Sequence, residues 1–96
     1  MEMEFNIIHN DKTKQFITLV EGKSASLDYS LSLDHKTLDY KSTFVPVDLR
    51  KRGIGEALVK HALDYARINH YKVLPSCPFV KHYIDKHPEY RDLVNS

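Results

Sequence analysis

The sequence predicts an α/β fold, in which a mixed, mainly antiparallel sheet of about five strands packs against one long helix and short C-terminal helices. Up to about residue 45, short β-prone segments are separated by polar turns. From Ile54 onward, apolar residues recur about every four positions, which is the spacing of an amphipathic helix. A chain of 96 residues has room for one core. We therefore expect a single domain over residues 1–96 with the order β-β-β-β-α-β-α-α.

Four strands are predicted in the first half. Glu4–His9 and Gln15–Val20 flank a polar turn cluster and read as a hairpin. In residues 25–33, apolar residues alternate with Ser and Asp, which is typical of a strand with one buried face. Leu38–Val45 is the fourth strand, and it ends before Pro46, which has no backbone N–H to donate. Short connections between these strands predict an antiparallel meander.

The second half is predicted to be mainly helical. Ile54 to about Asn69 forms the long helix, and Tyr71–Leu74 forms a short fifth strand. Two terminal helices, Pro78–Lys86 and Pro88–Val94, are expected because proline is well suited to the first turn of a helix.

The charge of the chain is nearly balanced but unevenly distributed. Fourteen Lys and Arg against thirteen Asp and Glu give a formal net charge of +1. Residues 1–49 carry five Lys and eight acids, a net charge of −3, whereas residues 50–96 carry nine Lys and Arg and five acids, a net charge of +4. The second half is therefore where an anionic ligand is expected to bind.

Several classes of protein are excluded by composition. A single cysteine, Cys77, rules out an internal disulfide framework and a multi-cysteine zinc site. The acidic N-terminus and the lack of a long apolar run argue against a secretory signal and a membrane helix. The six histidines have no pair at the spacing of a helical metal site, so no metal is predicted. We expect a cytoplasmic protein.

The segment Arg50–Glu56 carries the strongest functional signal. Gly53 and Gly55 lie at a predicted helix start, where unpaired amides can bind an anion and where glycine lets a ligand approach the backbone. Three consecutive cations precede them, so a pyrophosphate would suit the site. The segment matches neither a dinucleotide-binding motif nor a Walker loop. From spacing alone, a glycine-rich helix start beside a solvated basic segment explains it equally well.

The surroundings of this segment add a resemblance. Arg50-Lys51-Arg52-Gly53-Ile54-Gly55 follows Val45-Pro46 and precedes apolar residues at Leu58, Val59, Ala62 and Leu63. This arrangement resembles the acetyl-CoA motif of the GCN5-related N-acetyltransferases. With Pro75-Ser76-Cys77-Pro78-Phe79, Tyr83 and His87-Pro88, the sequence is similar to the smallest acetyltransferase-like members, which have a Pro-x-Cys motif.

This resemblance implies a GNAT-like fold, acetyl-CoA as cofactor and N-acetyltransferase activity toward an amine that the sequence does not identify. Main-chain amides of the loop would hold the CoA pyrophosphate, and the end of the fourth strand would pair with pantetheine and stabilise the reaction's oxyanion. The implied cofactor-binding residues are Thr43, Phe44, Val45, Arg50, Lys51, Arg52, Gly53, Ile54, Gly55 and Glu56.

Two residues are candidates for catalysis. Cys77 precedes Pro78 near a predicted helix start, which favours a thiolate, so transfer could pass through acetyl-Cys77 instead of direct attack by the amine. Tyr83 corresponds roughly to a tyrosine that protonates the leaving thiolate in larger acetyltransferases. Each also has a structural interpretation, Cys77 as a small buried residue and Tyr83 as a packed one. Tyr40, Tyr65, Tyr71 and Tyr90 are interpreted as core-edge or surface residues.

Other functions remain open at this stage. The family that this sequence resembles usually has a histidine at the position of Ser42. A His/Cys pair therefore cannot be assigned here. A non-catalytic CoA-binding or acyl-CoA-binding module is therefore the alternative function. The sequence argues against a nucleic-acid binder that uses Arg50, Lys51 and Arg52, because no aromatic residue lies beside these three charges.

Overall fold

The computed structural model describes residues 5–94, which form five strands and three α-helices in the predicted order. The α/β class, the five-stranded sheet and the long helix are confirmed. The elements are β1 (Ile7–Asn10), β2 (Gln15–Val20), β3 (Lys23–Leu31), β4 (Thr37–Phe44), α1 (Ile54–Ile68), β5 (Lys72–Leu74), α2 (Pro78–Lys86) and α3 (Arg91–Val94). Two short 3-10 turns, Val47–Leu49 and Pro88–Tyr90, precede α1 and α3.

The strands lie in the sheet in sequence order, β1-β2-β3-β4-β5. All neighbours are antiparallel except β4 and β5, which are parallel. Parallel neighbours need a long crossover connection, and α1 lies within it. Only three residue pairs, from Thr37–Lys72 to Asp39–Leu74, join β4 and β5. The rest of β4 therefore continues beyond the end of β5, toward the start of α1.

One face of the sheet packs against the helices. The buried core combines side chains of β2, β3, β4 and β5 with side chains from all three helices. Examples are Phe16 on β2, Leu27 on β3 and Leu58 on α1, all fully buried. The strand residues that alternate with the buried ones are at least partly exposed. Examples are Ile17 on β2 and Leu74 on β5. The described residues thus form two layers, one of sheet and one of helices.

A β-bulge interrupts β4 at Lys41. Asp28 pairs with Ser42, whereas the next residue of β3, Tyr29, pairs with Tyr40, so Lys41 has no partner across the ladder. An extra residue in one strand changes which face the following side chains occupy. Tyr40 and Thr43 therefore lie on the same, helix-facing side of the sheet although they are three residues apart.

The third strand differs from its predicted bounds of 25–33. Its connection to β2 is a tight two-residue turn in which Glu21 and Gly22 both have positive φ, so Lys23 already pairs with Val20. At the C-terminal end of β3, the Ser32 hydroxyl accepts a hydrogen bond from the Thr37 amide, which closes a turn. The prediction that Leu33 belongs to the apolar face was therefore wrong, and its side chain is 99% exposed. Glu4, the predicted start of the first strand, lies outside the described residues.

Two further predictions need correction. Tyr40 was placed at the core edge or surface, but it is fully buried, and its hydroxyl donates to the carbonyl of Ala62 in α1 at 2.5 Å. This hydrogen bond allows a phenol to occupy the interior of the core. The predicted terminal helix Pro88–Val94 is a 3-10 turn, which ends at the buried Tyr90, followed by the single α-turn of α3.

Candidate functional site

A cavity of about 370 Å³ opens where the end of β4 meets the start of α1. Its position follows from the sheet, because β4 extends beyond the end of β5 and its last residues are left without a strand on that side. The residues that line it come from β4, the following loop, the first turn of α1 and the first turn of α2. They are Thr43, Val45, Leu49, Arg50, Lys51, Gly53, Ile54, Gly55, Glu56 and Phe79.

The first turn of α1 presents main-chain amides at this cavity. The first hydrogen bond of the helix runs from the Ala57 amide to the Gly53 carbonyl at 3.0 Å. Gly53, the N-cap residue, has no side chain with which to cap the amides of residues 54–56. Its φ of +82° favours glycine. The aligned peptide dipoles of a 15-residue helix make such an uncapped end a binding site for an anion.

The three consecutive cations of the loop have different positions. Arg50 lines the cavity and donates its Nε–H to the carbonyl of Val45 at 2.9 Å. Arg52 is not among the lining residues and pairs with Glu21 at 2.5 Å. Lys51 lines the cavity, and within residues 5–94 it takes part in none of the ion pairs. Lys51 is therefore the cation of this loop most available to an incoming anion.

Gly55 lines the cavity and also lies against an aromatic ring of the protein. A Cβ at this position would lie 3.0 Å from two ring carbons of Phe79 and 3.7 Å from a methyl carbon of Val45. The sequence interpretation assigned Gly55 to close approach of a ligand. In the structure the space beside Gly55 is occupied by the protein's own aromatic ring. By contrast, a Cβ at Gly53 would have no neighbour within 4 Å, so that glycine is open to the cavity.

Cys77 lies next to the cavity without lining it. It is 5% exposed, and its Sγ lies 3.5 Å from the Oγ1 of Thr43, which does line the cavity. Its amide donates to the Tyr40 carbonyl at 2.9 Å, so the chain after β5 is fixed against β4. Cys77 is the N-cap residue of α2, as the sequence indicated, but its side chain does not cap the helix.

Tyr83 lies deeper in α2. Its side chain is buried, and its ring stacks on His87 with centroids 4.0 Å apart. Burial raises the pKa of its phenol above the ordinary value, which keeps the proton on the oxygen. Tyr83 is not among the residues that line the cavity. Its assignment as a proton donor stays a prediction.

Eight of the ten predicted cofactor-binding residues meet at this one cavity, and the exceptions are Phe44 and Arg52. Phe44 is 56% exposed, because it follows Thr43 and points to the other side of the strand. Sequence reasoning missed two lining residues, Leu49 and Phe79. Phe79 could have been suspected because it lies two residues after Cys77. The sequence alone does not show that its ring packs against Gly55.

The surroundings of Ser42 contain no histidine in hydrogen-bonding contact. Its hydroxyl donates to Asp28 at 3.4 Å, and Ser42 itself is exposed. Glu56 is the one acid among the described residues that line the cavity, and none of these residues is a histidine. The cavity thus supplies hydrogen-bond donors and positive charge, with little that could accept a proton.

Two negative results apply to residues 5–94. No group of three His, Cys, Asp or Glu side chains is close enough to hold a metal ion. Within the same stretch, the helices are all too short or too polar to cross a lipid bilayer.

Comparison with known proteins identifies relatives over most of the chain. A family model described as GCN5-related N-acetyl-transferase matches residues 15–93. Protein NATD1 of Xenopus tropicalis is 32% identical to this chain, over 83% of this chain and 74% of the relative. The solution structure of a GCN5-like putative N-acetyltransferase from Staphylococcus aureus has 27% identity and a TM-score of 0.73, and the match covers 95% of this chain and 88% of that one.

Proposed function

The chain belongs to the GCN5-related N-acetyltransferase family, and from this membership we propose that it transfers an acetyl group from acetyl-CoA to an amine. Acyl transfer is the general activity of the family. The observation that carries the proposal is the cavity at the start of α1, where eight residues assigned to the cofactor come together.

The residues of the cavity fit a CoA thioester. Uncapped amides of the first turn of α1, together with Lys51 and Arg50, offer hydrogen-bond donors and positive charge to a diphosphate. Thr43 and Val45 extend the cavity from this charged end along β4 toward Cys77. An elongated ligand with an anionic end and an uncharged arm matches this sequence of residues.

When bound, acetyl-CoA supplies an acyl group activated as a thioester. The protein would act mainly by positioning this ligand. The start of α1 holds its anionic end, and the end of β4 holds its arm at the point where β4 continues beyond β5. The lining residues include few proton acceptors, so an amine that reaches the site already neutral is the favoured nucleophile.

Direct attack by the amine and transfer through Cys77 make different predictions. Because Cys77 is almost fully buried and contacts the cavity through Thr43, acylation would require the thioester to reach past that threonine. Intact mass spectrometry after incubation with acetyl-CoA tests the covalent route. An added acetyl group that is lost in Cys77→Ser supports it, and full turnover by Cys77→Ser excludes it.

The phosphate site can be tested with two matched glycine variants. Gly53→Glu places a carboxylate at the cavity, whereas Gly22→Glu creates the same charge at another glycine of positive φ with no neighbour within 4 Å. We expect Gly53→Glu to weaken binding of acetyl-CoA about a hundredfold or more, by repulsion and loss of the anion site. Calorimetric titration that gives equal affinities for the two variants would contradict the assigned site.

A non-catalytic CoA-binding module is the second candidate. The position of Ser42, exposed and hydrogen-bonded to Asp28, and the shortage of proton acceptors at the cavity favour it. Incubation with acetyl-CoA and a library of amines and peptides separates the two functions. Turnover that depends on the protein and is lost in Gly53→Glu establishes the transferase, and tight binding without turnover establishes the module.

A further inference from the structure

The contact between Phe79 and Gly55 assigns a function that the cavity residues alone do not show. We propose that Phe79 selects for the pantetheine arm of the ligand, and that Gly55 is glycine to accommodate the Phe79 ring, not to admit phosphate. This inference rests on the proposed function, because it takes a CoA thioester as the ligand.

Three elements meet at the Phe79 ring. The ring comes from the first turn of α2, and it lies against the first turn of α1 at Gly55, beside Val45 at the end of β4. The distance of 3.0 Å from the ring to the position of a Cβ on Gly55 is shorter than ordinary van der Waals contact. A side chain at position 55 would therefore have to displace the ring.

Charged and apolar side chains both line the cavity, and Phe79 is one of the apolar ones. Arg50, Lys51 and Glu56 are the charged residues among those that line it. Phe79 and Val45 form an apolar surface, and the hydroxyl of Thr43 touches the sulfur of Cys77. Phe79 lies in the first turn of α2, two residues after Cys77, and its ring reaches Gly55 in the first turn of α1, so it bridges the helix start and the neighbourhood of Cys77.

The chemistry of CoA fits this combination of charged and apolar residues. Its diphosphate is charged, whereas the pantetheine arm that follows carries two neutral amides and a pair of methyl groups before the sulfur. A phosphate gains nothing from contact with a benzene ring, whereas methyl and methylene groups gain free energy by leaving water. Phe79 is 37% exposed, so part of its ring remains available to such groups.

A titration with a whole and a truncated ligand tests the assignment. Phe79→Ala is expected to weaken binding of acetyl-CoA about tenfold, because an apolar contact of that size is lost. The same variant should change binding of 3′-phosphoadenosine 5′-diphosphate, which keeps the diphosphate and lacks the arm, by less than about twofold. Ile68→Ala, which removes an exposed apolar side chain at the other end of α1, is the control.

A double-mutant cycle tests the role of Gly55. Gly55→Ala should weaken acetyl-CoA binding about fivefold when Phe79 is present, because the ring must move. In the Phe79→Ala background the added methyl group has room, so the further loss should be less than about twofold. Circular dichroism verifies the fold of each variant. If Phe79→Ala does not fold, Phe79→Leu replaces it, with an expected loss of about threefold.

The outcomes separate this inference from the proposed function. Wild-type protein that does not bind acetyl-CoA overturns both. Wild-type protein that binds, with equal losses for the two ligands on replacement of Phe79, overturns the assignment of Phe79 alone. An equal effect of Gly55→Ala in the two backgrounds shows that Gly55 serves the ligand directly, which likewise overturns the inference and leaves the function in place.

Discussion

The two ends of α1 differ in what surrounds them. At the start, Gly53 leaves the first-turn amides uncapped, and a cavity opens beside them. Near the other end, Tyr65 meets an aromatic cluster, which we define as His9, Phe16, Tyr29, Tyr65 and Tyr71. His9 stacks on Phe16 with centroids 4.3 Å apart, and its Nε2 lies 2.5 Å from the Tyr29 hydroxyl.

This difference separates stability from binding along one helix. Side chains in the aromatic cluster bond to and pack on one another, so the cluster contributes to the free energy of folding. At the start of the helix, main-chain groups and Lys51 remain available to a ligand. Substitutions in the cluster should therefore change stability with little effect on affinity, and substitutions at the helix start should do the reverse.

The largest expected effect is on stability, from Phe16→Ala. Phe16 is fully buried and lies beside five other aromatic rings, so its removal should lower the free energy of unfolding by about 3–5 kcal/mol. Urea denaturation followed by circular dichroism measures this, since the chain has no tryptophan. The affinity of the remaining folded protein for acetyl-CoA should stay within about twofold. A large loss of affinity would contradict the separation between residues that stabilise the fold and residues that bind the ligand.

A smaller loss of stability is expected from Tyr90→Phe. The Tyr90 hydroxyl donates to Asp64 of α1 at 2.7 Å and joins the C-terminal segment to the helix. Burial opposes ionisation of Asp64, but hydrogen bonds from Lys60 and Tyr90 outweigh it and lower the pKa of this carboxyl. Loss of one bond to a carboxylate should reduce the free energy of unfolding by about 1–2 kcal/mol.

The matched control is Tyr71→Phe. Among the described residues, the Tyr71 hydroxyl has no hydrogen-bond partner within the protein, so its removal should have a smaller effect. Equal effects of the two substitutions would show that the bond to Asp64 does not hold the C-terminal segment.

At the helix start, Lys51→Ala and Arg52→Ala should differ in affinity. Lys51 lines the cavity, and Arg52 pairs with Glu21 away from it. We expect Lys51→Ala to weaken acetyl-CoA binding about fivefold at low salt, with a smaller effect at high salt because the charges are screened. Arg52→Ala should weaken it by less than about twofold. The reverse order would move the anion site toward Arg52.

The smallest effect is a dependence of stability on pH through His9. Burial is the main cause that lowers the pKa of His9 below its ordinary value. The folded state therefore disfavours the charged imidazole. The contribution of neutral His9 to stability is complete above the unfolded pKa of about 6.5, and it is lost as pH falls through the lower folded value.

Denaturation at several pH values in wild type and His9→Phe checks this contribution. The variant keeps a ring for stacking but cannot titrate, so its stability should fall less between neutral and acidic pH. His82→Ala removes an exposed imidazole on α2 and serves as the control. Parallel pH profiles for wild type and His9→Phe would show that His9 does not couple to folding.

Much of this architecture could be predicted because local patterns determine it. Alternation in β3, four-residue spacing in α1 and a proline at the start of α2 each led to the observed element. Most loop residues that line the cavity were also named from the sequence, because they are contiguous and lie at a helix start. Interactions between residues that are close in sequence can be predicted with little knowledge of the rest of the fold.

The remaining features depend on distant pairs of residues. The burial of Tyr40 requires a carbonyl of α1 as hydrogen-bond acceptor, and the small size of Gly55 is explained by a ring 24 positions later in the chain. Neither partner can be deduced from the spacing of residues within one element. The role predicted for Phe44 rests on its main chain, so the exposure of its ring leaves that role a prediction.

The unpaired residue in β4 determines what a one-residue deletion in this strand would do. Leu27 and Tyr29 are two apart on β3, but their partners Thr43 and Tyr40 are three apart on β4. Removing one residue here would restore strict two-residue periodicity and rotate either Tyr40 out of the interior or Thr43 away from Cys77. The one extra residue, Lys41, therefore allows β4 to direct Tyr40 toward α1 and Thr43 toward the sulfur of Cys77.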